Sequence, residues 1–83
     1  MRSRVQDAGD HAALWLITKA AASRLACPSN DALAAAIGAR GAAAGAAALR
    51  RLELRGAITV ERLAGWRLVT VVEFGCRTEG EDA

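Results

Sequence analysis

No run in this sequence is long and apolar enough to cross a membrane, because Lys19 and Arg24 interrupt the longest apolar stretch. No apolar segment of secretory type precedes Cys27 or Cys76. The two are therefore expected as reduced thiols in a cytoplasmic setting rather than as a disulfide. Neither cysteine has a C-x-x-C partner, and His11 is the single histidine, so the ligand spacing of a zinc site is missing. His11 is expected simply to open a helix. No nucleophile–base pair, glycine-rich phosphate loop or carboxylate pair stands out, so catalysis is not expected and no cofactor is implied. Tyrosine is absent, and Trp15, Trp66 and Phe74 are the only aromatic residues. Large apolar side chains are correspondingly scarce.

The 83 residues suffice for one domain with one core. Hydrophobic residues make up 53%, but much of that is alanine, which buries little area. The core must then lean on Leu14, Trp15, Leu16, Ile17, Leu25, Leu33, Ile37, Leu49, Leu52, Ile58, Val60, Leu68, Val69, Val71 and Phe74. At roughly 1.5–3 kcal/mol per buried large side chain, this set offsets chain entropy narrowly, and modest stability is expected.

Charge is unevenly placed. The net value is +2, yet Arg40 to Arg67 holds six arginines against Glu53 and Glu61. After Val72 come Glu73, Glu79, Glu81 and Asp82 against Arg77 alone. A basic middle beside an acidic tail makes a polarised molecule. All the cations except Lys19 are arginines, whose forked donors suit phosphate and guanine.

Periodicity divides the chain into an arm at 1–9, a folded domain at 10–74 and an acidic tail at 75–83. Asp10 is placed to cap a first helix from about His11 to Arg24, with Leu14, Ile17, Ala21 and Leu25 on one stripe and Trp15 at its edge. Cys27-Pro28-Ser29 breaks the pattern, and Ser29 is a good N-cap for a short helix from Asn30 to Ile37. Gly38 ends that helix. A third helix is predicted from about Ala42 to Arg55, with Gly45, Ala48, Leu49 and Leu52 inward. Gly45 marks a close approach of the second helix, and Gly56 is the stop. Residues 57–62 alternate like a strand, Leu63-Ala64-Gly65 turn, and Trp66 to Phe74 read as the returning strand. The expected fold class is α+β, mostly α: a three-helix winged helix-turn-helix with a C-terminal two-stranded β-hairpin wing.

Two runs carry a resemblance. They are Pro28-Ser29-Asn30-Asp31-Ala32-Leu33-Ala34-Ala35-Ala36-Ile37-Gly38-Ala39-Arg40-Gly41 and Leu49-Arg50-Arg51-Leu52-Glu53-Leu54-Arg55-Gly56-Ala57-Ile58. Together they resemble the bacterial winged helix-turn-helix DNA-binding domains, with spacing closest to the N-terminal domain of LexA-type repressors. The likeness covers about Asp10 to Val72. It implies a regulator of transcription that binds double-stranded DNA. The chain departs from that pattern at Gly41 to Ala47, where the LexA-like helix carries polar residues.

In such a fold the third helix enters the major groove. A helical wheel places Arg40, Ala43, Ala47, Arg50, Arg51 and Leu54 outward. Arg40 and Arg50 are expected to reach base edges or phosphates, and Ala43 and Ala47 to offer apolar contact to thymine methyls. Ser29, Asn30 and the amides beside them are expected at phosphates, and Arg62 and Arg67 at the backbone or minor groove beside the wing. So few polar readers throw the affinity onto phosphates and DNA shape. A domain this small is expected to act as a homodimer. The alternative is a non-catalytic adaptor that docks onto RNA polymerase or another regulator.

Overall fold

A computed structural model describes residues 4–79, with side chains from Ala8 onward. It contains three helices followed by one hairpin: α1 (Arg4–Ala22), α2 (Asn30–Ala36), α3 (Ala42–Leu54), β1 (Ile58–Leu63) and β2 (Trp66–Val71). The two strands pair antiparallel, from Ile58 opposite Val71 to Leu63 opposite Trp66, leaving Ala64-Gly65 as the turn. This is the expected α+β winged-helix layout. The core joins Ala13, Ile17 and Ala21 of α1, Leu33 of α2, Ala48, Leu49 and Leu52 of α3, and Ile58, Val69 and Val71 of the hairpin.

Glycine and alanine set how close the helices come. A Cβ built on Gly45 would stand 2.7 Å from the Asn30 carbonyl carbon and closer still to its oxygen. The start of α2 therefore lies directly on the α3 backbone, as the sequence suggested. Ser29 caps α2 by accepting the Ala32 amide at 3.1 Å. All three helices close with the same pair of backbone bonds. After α1, for example, the Leu25 amide reaches the Ala20 carbonyl and the Arg24 amide reaches that of Ala21. Glycine takes the left-handed position after α2 and α3, but after α1 it is Arg24, at φ 57°.

Several expectations need correction. α1 starts at Arg4, so most of the predicted arm is helical; Met1–Ser3 lie outside the described residues. Asp10 is not a cap. It sits inside α1, fully buried, because Arg51 of α3 and Arg55 at the C-cap of that helix supply partners for its carboxylate. Gly9 belongs to the helix too, and a Cβ there would meet the Ile37 side chain at 3.3 Å. The buried stripe of α1 is Asp10, Ala13, Ile17, Ala20 and Ala21; it keeps Ile17 and Ala21 of the predicted stripe, while Leu14 is half-buried beside the core. Leu25 follows the helix end and is exposed, as are Trp15 and Phe74. Lys19 covers one face of Trp15, 5.0 Å from the ring centre.

The second strand ends at Val71 rather than Phe74, because the chain turns over residues 72–75 and comes back beside β2. The Val71 amide donates to the Cys76 carbonyl, the Thr78 amide to the Val69 carbonyl, and the Val69 amide to Thr78 Oγ1 at 2.9 Å. Buried Thr78 thus belongs to the core, and the described part of the tail covers one edge of the hairpin. Gly80–Ala83, with Glu81 and Asp82, lie outside the described residues.

Candidate nucleic-acid interface

The outer side of α3 is a smooth cationic stripe. Leu49, Leu52 and Ala48 point into the core, which turns Ala43, Ala47, Arg50 and Leu54 to solvent at helical spacing. Ala46 widens the same surface. Arg40 stands exposed in the turn just before it. Neither Arg40 nor Arg50 takes part in an ion pair among the described residues. The helix opens on Gly41, which provides no side-chain cap; the Ala44 amide donates to the Gly41 carbonyl at 3.1 Å, and the Ala42 and Ala43 amides have no hydrogen bond among the described residues.

Arg51 departs from the expected outward position. Its Nε donates to Asp10 Oδ1 at 2.8 Å, and Arg55 Nη1 reaches Oδ2 of the same carboxylate at 3.3 Å. A buried carboxylate draws any guanidinium within reach, because an unpartnered charge there costs several kcal/mol or more. Arg51 therefore pins α3 to α1. No local signal in the sequence separates it from Arg50. Only the burial of Asp10, a tertiary fact, does so.

The remaining candidates gather on the other side of the α2 start. Ser29, Asn30, Arg62 and Arg67 line one groove of about 480 Å³ between the α1–α2 connection and the wing. Arg67 is partly committed there, with Nε 3.3 Å from Cys27 Sγ and Nη2 donating to the Pro28 carbonyl at 2.9 Å. Arg62 forks onto Glu53 of α3 at 3.3 and 3.4 Å across an exposed gap. Asn30 Oδ1 is buried with no hydrogen-bond partner among the described residues. The partners Asp10, Glu53, Cys27 and Pro28 were not foreseen as such; each lies at least nine residues from its arginine.

The nine candidates thus fall into two surfaces plus one internal tie. Arg40, Ala43, Ala47 and Arg50 form the α3 stripe, Ser29, Asn30, Arg62 and Arg67 form the groove, and Arg51 is turned inward. No disulfide joins Cys27 to Cys76. Among the described residues no cluster of histidine, cysteine and carboxylate side chains can hold a metal ion, and no helix is long and apolar enough to cross a membrane. Compared with known proteins, the chain matches no family model, no curated protein and no solved structure.

Proposed function

We propose that this chain binds double-stranded DNA and regulates transcription, with α3 in the major groove and the wing against the backbone or minor groove. One observation carries the reading. The third helix of a winged-helix layout presents an exposed stripe, Arg40-Ala43-Ala47-Arg50, whose cations form no ion pair among the described residues. Alanine offers bases only methyl contact, so phosphates and duplex shape supply most of the affinity. The reading includes a homodimer on a repeated site, acting at the nucleoid of a bacterial cytoplasm, and no cofactor.

A gel shift with random duplex at low and moderate salt tests it. Binding that falls steeply as salt rises is expected. A second reading rests on Leu54, 81% exposed at the end of the same smooth stripe. That apolar end suits a non-catalytic adaptor docking onto RNA polymerase or another regulator. Absence of duplex binding at low salt, with retention on a polymerase column, would replace the first reading with the second.

A further inference from the structure

Arg62 and Arg67 are direct cross-strand partners in the hairpin. Like charges facing each other across two strands repel and weaken the pairing. The fold separates them by drawing Arg62 to Glu53 and Arg67 to Pro28 and Cys27. Both nevertheless line the same groove. An anion lodged between them would turn the repulsion into attraction. The existing ties do not prevent this. The Arg62–Glu53 pair is exposed and weak, so an anion can displace it. Arg67 uses two of its five donors in the bonds it makes.

The rest of the lining is mixed. Ser29 Oγ accepts the Ala32 amide, which leaves its hydroxyl hydrogen to donate. Pro28 and Leu63 are apolar, and Trp66 is a half-buried ring. A volume of about 480 Å³ fits the size of small-molecule sites, roughly 300–1,000 Å³. Two guanidiniums and a hydroxyl match the oxygens of a phosphate monoester. We propose that this groove binds a small phosphate monoester such as a mononucleotide, with the phosphate between Arg62 and Arg67, and that Trp66, next to Arg67 in β2, reports its arrival. No residue of α3 lines the groove, but Arg62 and Arg67 also belong to the wing of the DNA-binding reading, so the two are told apart by the probe, monophosphate against duplex.

Trp15→Phe leaves Trp66 as the single tryptophan and turns it into the reporter. Adenosine monophosphate, adenosine, inorganic phosphate and random duplex are the probes. The expected result is a saturable change in Trp66 emission with the monophosphate, competed by inorganic phosphate. Arg62→Ala should weaken it by about tenfold or more while the unfolding midpoint stays in place, since it removes a charged hydrogen-bonding group from a mostly exposed position. Four outcomes would overturn the proposal: no saturable change at millimolar monophosphate, an equal response to adenosine, full retention in Arg62→Ala, or a response to duplex alone. The last would assign the phosphate to a DNA strand. A gel shift on the same samples reports DNA binding independently.

Discussion

Arg50 and Arg51 are neighbours in sequence and about 100° apart around α3. Arg51, with Arg55 a turn later, turns to the α1 side and closes on the buried carboxylate of Asp10. Arg50, with Arg40 before the helix, faces solvent without an ion pair among the described residues. The inward side of the helix is fixed by packing and the Asp10 carboxylate, and the outward side is exposed to solvent. One residue type thus serves two ends, and the burial of a single aspartate decides which arginine does which.

The largest expected effect tests the inward side. Leu49 is 2% exposed amid residues of all three helices and the hairpin. Leu49→Ala should cost about 2–4 kcal/mol in urea unfolding, through lost burial and the cavity left behind. A loss under about 0.5 kcal/mol would mean that the two sides of α3 are not divided as described.

Asp10→Ala comes next. Stranding a charge in a protein interior costs roughly 3–5 kcal/mol. Here the deleted group is the buried one, and the arginine side chains left behind are 27% and 37% exposed, so they can turn to water. The expected loss is therefore smaller, about 2 kcal/mol, from broken charged hydrogen bonds. An unchanged urea midpoint would show that these ion pairs do not hold α3 to α1.

What was legible in the sequence follows this same division. Gly38 and Gly56 close their helices, Ser29 caps α2, Gly45 admits the Asn30 backbone, and the hairpin turns at Ala64-Gly65. Each of these signals is local, requiring a residue type at a fixed offset. Asp10 misleads because its local meaning, a cap, is overridden by contacts with Arg51 and Arg55, far along the chain. Leu25, Trp15 and Phe74 are apolar yet exposed, since the small alanine core is filled without them. The return of residues 76–78 along β2 depends on Thr78, a polar residue whose burial no hydropathy pattern announces. Of the candidate site, α3's outward stripe could be drawn on a wheel, but the sharing of arginines among Asp10, Glu53 and the Cys27-Pro28 loop could not.

The smallest effect on stability is also the sharpest test of the comparison. Arg50→Ala removes a solvated side chain without an ion-pair partner among the described residues, so unfolding should shift by less than about 0.5 kcal/mol. On DNA it should weaken binding and lower the salt-dependence slope by about 1, the mark of one lost phosphate contact. Arg51→Ala should do the reverse: a stability loss of about 2–3 kcal/mol, because it leaves the buried Asp10 carboxylate with only the longer Arg55 bond of this pair, with the salt slope unchanged in the protein that remains folded. Measuring both variants by urea titration and by gel shift across salt separates the helix's two sides at adjacent positions. If both lower the slope equally, Arg51 leaves Asp10 when DNA arrives and the inward tie is a resting contact. If neither lowers it, α3 is not the surface that meets the duplex.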